Sequence, residues 1–267
     1  MKEEASEILT FESLEIGYGK GFRRKILLPP LSGSAKKNEL VALIGRNGIG
    51  KSTLLRTVAG LQRPFSGNIN VKGKDISLYS RLGLARITGY ISTDIIRAYH
   101  MTVYDLVSLG RFPHTNWIGS IDDQSRKAID DAIIKSGLEQ LSQRNISELS
   151  DGERQRAMIA RVLAQDTLLM VMDEPLAFLD MPGKFEIVNL IRSLSDRGKT
   201  VVFSTHDLGL AIKNADRIWL LQNDGIIEGT PEELIEMDAF DLMFGSTTNA
   251  ADRFSGKELR NYLKNFL

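Results

Sequence analysis

Cysteine is absent from the 267-residue sequence, so the chain can form neither disulfides nor cysteine–zinc sites. This absence is usual for a protein of a reducing compartment. An excess of either charge is also missing, because 34 lysine and arginine residues balance 34 aspartate and glutamate residues. Such a balance creates no overall field that favours nucleic acid, so we expect no nucleic-acid partner. The sequence also shows no internal repeat and no low-complexity segment, as expected of an ordinary globular protein.

Long hydrophobic runs are missing as well. The N-terminal segment 1–7 is acidic and lacks the apolar core of a signal peptide. The strongest apolar run, residues 168–172, is far shorter than a helix that spans a bilayer. We therefore expect a cytoplasmic protein, which another subunit would anchor if it works at a membrane.

A glycine-rich loop is the most informative feature that the sequence does contain. This phosphate loop and the residue after it read Gly45, Arg46, Asn47, Gly48, Ile49, Gly50, Lys51, Ser52 and Thr53. The loop matches G-x-x-x-x-G-K-[ST], in which backbone N–H groups and the positive end of the following helix point at one anion. Residues 39–44 before it favour a buried strand, and residues 52–59 after it favour a helix. This setting favours nucleotide binding over a glycine-rich turn with a solvated lysine.

Alternating strand and helix patterns predict an α/β fold with a mainly parallel sheet. Helical patterns dominate between residues 94 and 149, with one helix at 103–109 ended by Gly110 and a longer one at 122–136. We therefore expect a core formed by residues 1–93 and 150–230. A helical subdomain at 94–149 is inserted into it, and a mostly helical tail follows at 231–267.

Four further motifs follow the phosphate loop in a fixed order. They are the helix start 149–156 (LSDGERQR), the strand 168–172 followed by Asp173-Glu174-Pro175, the segment 177–180 (AFLD), and the segment 204–207 (STHD) after the next strand. Asp173 stands where P-loop ATPases place the carboxylate that coordinates Mg²⁺, with Lys51 bridging β- and γ-phosphates and Ser52 holding the ion. Glu174 could then act as a general base toward water. The alternative for the two carboxylates is a solvated acidic turn before Pro175.

Together these motifs resemble the ATP-binding cassette superfamily, and the resemblance covers about Leu14 to Gly229. It implies a P-loop NTPase core with a mainly parallel sheet, an N-terminal antiparallel β portion and an inserted helical subdomain. It also implies an ATPase that uses ATP and Mg²⁺. His206 resembles the switch histidine that contacts the γ-phosphate; the alternative is an ordinary loop histidine. Tyr18 resembles the aromatic residue that stacks on adenine, whereas the alternative is a packed strand tyrosine.

The segment 149–155 departs from the family pattern Leu-Ser-Gly-Gly-Gln at Asp151 and Glu153. By resemblance, Ser150 and Gly152 bind the γ-phosphate of ATP held on a second subunit, so that the complete site exists only in a homodimer formed on ATP binding. Ser150 and Glu153 also form the pattern of a capping box, in which both side chains satisfy N–H groups of their own helix. The two interpretations are compatible. Asp180 is expected at the dimer interface.

A second departure concerns the glutamine that, in this family, touches Mg²⁺ and the attacking water. The best alignment places Thr93 there, followed by Asp94. A threonine side chain is shorter, so we expect Thr93 to act on the metal only indirectly, through a bridging water.

The segment 109–114 (LGRFPH) looks like one found in ATPase subunits of importers for iron–siderophore complexes, haem and vitamin B12. The resemblance implies integral membrane permease subunits as partners, with an extracytoplasmic substrate-binding protein acting indirectly and the chain peripheral on the cytoplasmic face of the membrane. Apolar side chains in this region would either receive a permease helix or form the core of the subdomain: Ile95, Ile96, Tyr99, Met101, Phe112 and Trp117. The other functions considered are a cassette ATPase not engaged in transport and a nucleotide-binding regulatory subunit with little turnover.

Overall fold

The computed structural model describes residues 6–19, 21–92, 100–115, 120–241, 260–261 and 263–267. Within them the chain forms twelve β-strands and eight α-helices. The strands are β1 (Glu7–Glu15), β2 (Gly17–Tyr18), β3 (Lys25–Ile26), β4 (Leu31–Lys36), β5 (Leu40–Gly45), β6 (Ser66–Val71), β7 (Lys74–Asp75), β8 (Thr88–Ile91), β9 (Leu169–Met172), β10 (Thr200–Ser204), β11 (Arg217–Gln222) and β12 (Gly225–Gly229). The helices are α1 (Lys51–Val58), α2 (Arg81–Ala85), α3 (Val103–Ser108), α4 (Asp123–Lys135), α5 (Asp151–Ala164), α6 (Met181–Asp196), α7 (Leu208–Asn214) and α8 (Pro231–Glu236).

The central sheet has six strands in the order β12-β11-β5-β10-β9-β8. All neighbouring pairs are parallel except β11 and β12, which are antiparallel and pair Gln222 with Gly225. The mainly parallel sheet predicted from the sequence is therefore confirmed. Because parallel strands all end at the same edge, the segments that follow β5, β9 and β10 come together there.

The buried strands contribute alternate side chains to two hydrophobic clusters, one on each face of the sheet. In β5, Ala42 and Ile44 belong to the cluster on the side of α5 and α6, whereas Val41 and Leu43 face α1 and the N-terminal strands. This alternation explains why these strands read as continuous apolar runs.

The N-terminal strands form a four-stranded sheet of order β4-β1-β6-β7, in which every pair is antiparallel. Phe11 of β1 packs edge-on against Trp219 of β11, with ring centroids 5.2 Å apart. A separate hairpin of β2 and β3 encloses the 3₁₀ helix Gly21–Arg23. The expected N-terminal antiparallel portion is confirmed.

Helices α3, α4 and α5, which lie between β8 and β9 in the sequence, pack against one another. The prediction that Gly110 ends the first of these helices is wrong, because a 3₁₀ helix, Leu109–His114, continues the chain directly from α3. Gly110 is needed instead for a close approach: a Cβ there would come within 2.0 Å of the carbonyl oxygen of Arg161.

The C-terminal tail is helical at α8, and residues 242–259 lie outside the described part. Leu263 is buried in the larger hydrophobic cluster, and the ring of Phe266 lies against Gly209 at the start of α7. Within the residues that the structure describes, no helix combines the length and the apolar character needed to cross a membrane.

Candidate functional site

The phosphate loop connects the end of β5 to the start of α1. Gly50 of this loop is the N-cap of α1 and has a φ of 122°, which residues with a Cβ rarely adopt. A glycine offers no side-chain acceptor to the N–H groups of the first turn, which leaves these groups to an anion from outside the helix. Gly45 is required by a close approach, since a Cβ would lie 2.8 Å from the carbonyl oxygen of Leu221. The predicted strand–loop–helix arrangement is confirmed.

The Lys51 side chain folds back over the phosphate loop and is only 5% exposed. Its Nζ donates to the carbonyl oxygens of Gly45 at 2.9 Å and Arg46 at 3.4 Å, and lies 3.8 Å from Oε1 of Glu174. Burial lowers the pKa of Lys51, while the charges of Glu174 and Asp173 oppose that shift. The lysine amine is therefore held at the carboxyl edge of the sheet, beside the two carboxylates that follow β9.

Asp173 and Glu174 occupy different environments although they are adjacent. Asp173 is 1% exposed, and its Oδ1 accepts a hydrogen bond from the Ser204 hydroxyl at 2.9 Å. The side chain of Glu174 is 29% exposed and faces Lys51. The backbone at Glu174 is unusual, because its φ of 46° lies in the left-handed region. A solvated acidic turn does not fit the burial of Asp173.

Tyr90 of β8 provides a second hydrogen bond to Asp173, from its hydroxyl to Oδ2 at 3.4 Å. Burial and the nearby Asp173 charge raise the pKa of Tyr90 to about 12, against the opposing influence of Arg56. The phenol therefore stays protonated near neutral pH and acts as a donor toward the carboxylate.

His206 follows β10 and is exposed at the same edge of the sheet. The neighbouring residues are held more firmly: Thr205 is buried, and its hydroxyl accepts from the N–H of Asp207 at 3.0 Å. Asp207 caps α7 by accepting from the N–H of Leu210, and its other carboxylate oxygen lies 3.3 Å from Nζ of Lys184. The imidazole therefore projects from an anchored turn.

Tyr18 is 51% exposed, which does not fit the alternative of a packed strand tyrosine. Its hydroxyl forms a hydrogen bond with the hydroxyl of Thr53 in α1. This contact places the aromatic ring beside the helix that follows the phosphate loop, and leaves half of its surface available for a ligand.

The segment that begins α5 forms the predicted capping box. Ser150 Oγ accepts from the N–H of Glu153 at 3.3 Å, and the Glu153 carboxylate accepts from the N–H of Ser150 at 2.8 Å. Hydrogen bonds from the backbone N–H and from the side chain of Ser150 to the Glu153 carboxyl group lower its pKa, so the carboxylate is charged at neutral pH. Gly152 has open space where a Cβ would be placed, so crowding within the described residues does not explain the glycine.

Asp180 is the N-cap of α6, and its Oδ1 accepts from the N–H of Gly183 at 2.9 Å. Large apolar side chains around it are exposed: Phe178 by 80%, Met181 by 53% and Phe185 by 43%. Such a group of exposed side chains is typical of a surface that contacts another protein.

The segment 109–114 holds the end of α5. Arg111 is 5% exposed, and its guanidinium donates to the Ala164 carbonyl oxygen at 2.9 Å and to Ser125 Oγ at 3.2 Å. The His114 ring lies 2.9 Å from the carbonyl oxygen of Gln165. These contacts satisfy carbonyl groups that the end of a helix leaves free. Phe112 is 68% exposed, whereas Met101 packs against the main hydrophobic cluster, so the two readings of this apolar surface each fit one residue.

Part of the predicted site lies outside the described residues. This applies to Thr93 and Asp94, and to Ile95, Ile96, Tyr99 and Trp117 of the apolar surface. The indirect metal contact of Thr93 therefore stays a prediction.

Sequence reasoning missed two residues of the site, Tyr90 and Ser204. A signal for Ser204 exists, because it is a hydroxyl residue at the end of the otherwise apolar strand β10. The register pairs Phe203 with Met172, which brings Ser204 level with Asp173. Tyr90 carries no comparable signal, since a tyrosine is equally common as a packed strand residue.

The sequence and the fold are also similar to those of known proteins. Residues 28–177 match the family described as ABC transporter. The chain is similar to the achromobactin transport ATP-binding protein CbrD of Dickeya dadantii, with 35% identity over 85% of this chain and 84% of that protein. It is also similar to the iron(3+)-hydroxamate import ATP-binding protein FhuC of Bacillus subtilis, with 34% identity over 88% of this chain and 87% of that protein.

A solved structure described as an ABC transporter of the metal-chelate type, in an inward-facing conformation, is similar in fold. Its TM-score is 0.78 at 26% identity, and the match covers 90% of both chains. The family match spans more than half of the chain, and both relatives are more than 30% identical over most of it. The chain therefore belongs to the ABC transporter family, as one of its ATP-binding subunits, which hydrolyse ATP to drive transport.

Proposed function

We propose that this chain is the ATP-hydrolysing subunit of a membrane importer for an iron chelate or a related metal complex. The observation that carries the proposal is the meeting of Lys51, Asp173 and Glu174 beside the phosphate loop, with the Lys51 amine 3.8 Å from the Glu174 carboxylate. The cargo is inferred from relatives named for achromobactin transport and iron(3+)-hydroxamate import, which are 34–35% identical to this chain.

In this proposal the phosphate loop and the start of α1 hold the triphosphate. Backbone N–H groups at Gly48 to Thr53 surround the phosphates, and Lys51 moves from the loop carbonyls to the β- and γ-phosphates. The exchange replaces neutral carbonyl acceptors with charged ones, which strengthens the hydrogen bonds of a buried ammonium. Tyr18 stacks on adenine with its exposed face.

The oxygen donors beside the phosphate loop suit Mg²⁺, which prefers hard oxygen ligands. Ser52 would contribute its hydroxyl, and Asp173 its carboxylate through a water. No group of three or more histidine, aspartate or glutamate side chains in the described ranges could hold a metal alone. This agrees with an ion that takes its other ligands from phosphates and water. When bound, Mg²⁺ neutralises charge on the β- and γ-phosphates.

Glu174 accepts a proton from the attacking water as the water oxygen bonds to the γ-phosphorus and the bond to the ADP oxygen breaks. Its partial exposure leaves room for water, whereas the buried Asp173 is enclosed by hydrogen-bond donors. His206 donates to the γ-phosphate and stabilises the charge that develops there.

Two copies of the chain would complete each site. Ser150 and Gly152 of one copy contact the γ-phosphate held by the other, and Asp180 lies at the interface. The exposed apolar side chains of Phe178 and Met181 support this assignment, because ATP-dependent contact would remove them from water.

The membrane partner would be a permease, which places the chain at the cytoplasmic face of the membrane. We propose the region 94–149, with the exposed Phe112, as the part that receives a permease helix. This assignment goes with our division of the chain into the core 1–93 and 150–230, the helical subdomain and the tail 231–267.

The test is to purify the chain with its membrane partner from detergent-solubilised membranes and to reconstitute the complex in proteoliposomes. The proposal predicts ATP-dependent accumulation of a ⁵⁵Fe(III)–hydroxamate or ⁵⁵Fe(III)–carboxylate siderophore, and its loss with Glu174→Gln. Co-purification with nucleic acid or ribosomes, without a membrane protein, would contradict it. Transport of another solute by the complex would support the assignment as an importer subunit and contradict the assignment of an iron chelate as its cargo.

A further inference from the structure

Ser204 connects the two carboxylates of the site through one hydroxyl group. It is the last residue of β10 and is completely buried. Its Oγ donates to Oδ1 of Asp173 at 2.9 Å and accepts from the backbone N–H of Glu174 at 2.8 Å. The hydroxyl proton of Ser204 therefore bonds to the Asp173 carboxylate, while a lone pair of the same oxygen accepts the hydrogen bond from the Glu174 backbone.

The backbone of Glu174 explains why this second hydrogen bond matters. With a φ of 46°, Glu174 leaves the extended path of β9 and enters a conformation that non-glycine residues adopt only when their surroundings enforce it. The backbone N–H of Glu174 therefore does not continue the hydrogen-bond pattern of the strand, and it donates its hydrogen bond to Ser204 Oγ. The same turn directs Asp173 into the interior and Glu174 toward Lys51.

The position of Ser204 along the chain adds a connection to the switch histidine. Ser204 is two residues before His206, and Thr205 between them is fixed by its N–H, which donates to the Leu43 carbonyl oxygen at 3.1 Å. The hydroxyl of Ser204 therefore connects the end of β10, just before the turn that carries His206, to the turn after β9.

We propose that Ser204 is a positioning residue for ATP hydrolysis: its hydroxyl orients the Asp173 carboxylate toward the metal and holds the Glu174 backbone so that the Glu174 carboxylate faces the attacking water. The inference rests on the proposed roles of Asp173 and Glu174. The Ser204 side chain is completely buried, and its hydroxyl contacts Asp173 and Glu174, so its effect on hydrolysis would pass through these two residues.

The expected signature is a loss in kcat without a loss in nucleotide affinity. In Ser204→Ala, Asp173 loses the donor on Oδ1 and the N–H of Glu174 loses its acceptor, while the phosphate loop that binds ATP is unchanged. We expect kcat to fall about 10- to 100-fold, with the KM for ATP within about threefold of wild type. Ser204→Thr keeps a hydroxyl on a residue type that suits strands, and is expected to recover most of the activity.

Ser195→Ala is the matched control. Ser195 is also completely buried, and its hydroxyl also makes a hydrogen bond, to the carbonyl oxygen of Asn38 at 2.8 Å, away from the carboxylates. This variant should lose a comparable amount of stability in urea unfolding and keep the wild-type kcat. A similar fall in kcat for both variants would mean that a general loss of stability causes the effect, and would overturn the proposal.

A second readout does not depend on turnover. Mn²⁺ binding to the ADP-loaded protein, followed by electron paramagnetic resonance, reports the metal site directly. Ser204→Ala should weaken Mn²⁺ binding at least ~3-fold, whereas ADP binding without metal should be unchanged. Wild-type Mn²⁺ affinity and wild-type kcat in Ser204→Ala would refute the inference. If the wild-type protein bound Mn²⁺ and ADP but never hydrolysed ATP, the proposed function would fail, while the Mn²⁺ comparison would still decide the role of Ser204.

Discussion

Lys51 and Glu174 form an ion pair of 3.8 Å in which the lysine is almost fully buried and the glutamate is not. The asymmetry fits their proposed tasks. An ammonium that binds phosphate gains from a fixed position beside the loop, whereas a base must reach water. The buried Asp173, with donors on both oxygens, has the environment of a carboxylate that orients a metal.

Replacing Glu174 by glutamine should stop hydrolysis but not binding. We expect Glu174→Gln to hydrolyse ATP at least ~100-fold more slowly, because it removes the general base, while its affinity for ATP stays near that of wild type. Steady-state phosphate release and equilibrium ATP binding measure the two effects. Glu148→Gln is the control, because Glu148 is an exposed carboxylate paired with Arg144, and this variant should keep full activity. Normal turnover by Glu174→Gln would reject the assignment of the base.

Glu153 allows a test of the proposed contact between copies, because its charge would lie near the γ-phosphate bound by the partner copy. Glu153→Gln keeps a side chain that can complete the capping box and removes the negative charge. ATP-driven dimerisation of the variant should strengthen about 2- to 10-fold at low salt, and the gain should shrink as salt is added. Sedimentation at two ionic strengths would measure it. Unchanged or weaker dimerisation at low salt would place Glu153 away from the phosphate.

Motifs were sufficient to predict some site residues and insufficient for others. Lys51, Asp173 and Glu174 follow from spacing within the chain, and the structure brings them together. Ser204 and Tyr90 act on Asp173 from neighbouring strands, so recognising them requires the strand order and register, which a single sequence does not contain. The exposure of Tyr18 and its contact with Thr53 also depend on packing between distant segments.

Among the secondary-structure elements, those with strong periodic or apolar patterns were predictable, including the strands expected at 39–44 and 168–172, which agree with β5 and β9 to within one residue. The error at Gly110 has a physical cause. Glycine ends helices by adopting a left-handed conformation, but here it serves a close contact with α5, and contact between two elements leaves no local signal. The role of the segment 109–114 was missed for the same reason.

Arg111 stabilises the packing of the segment 109–114 against α5. Its buried guanidinium binds the carbonyl group at the end of α5, where a positive charge is favourable. Arg111→Ala should lower the free energy of unfolding by about 3 kcal/mol, since a charged hydrogen bond is lost and the Ala164 carbonyl group is left unpaired. Urea unfolding measures the change. Arg126→Ala, an exposed arginine of α4, should change it by less than about 0.5 kcal/mol. Equal losses would reject the capping role.

The exposed apolar side chains around Asp180 are a feature of the molecule that the folding of one chain does not explain. Phe178→Ala should leave ATP binding by the monomer intact and weaken ATP-driven dimerisation about tenfold, the loss of about 1.4 kcal/mol expected if Phe178 is one of the few residues that dominate the interface energy. Sedimentation of the variant in the Glu174→Gln background measures the strength of ATP-driven dimerisation. Met237→Ala is the control, since Met237 is 66% exposed on another element and should have no effect. An unaltered dimer in Phe178→Ala would move the interface elsewhere.

Light scattering of purified Glu174→Gln tests whether two copies of the chain share the ATP sites. With saturating Mg²⁺ and ATP the protein should have the mass of two copies of the 29.8 kDa chain, and with ADP the mass of one. We expect ATP to favour the pair because only ATP carries the γ-phosphate that we propose Ser150 and Gly152 of the second copy bind. A single-chain mass with ATP demonstrably bound would contradict the account.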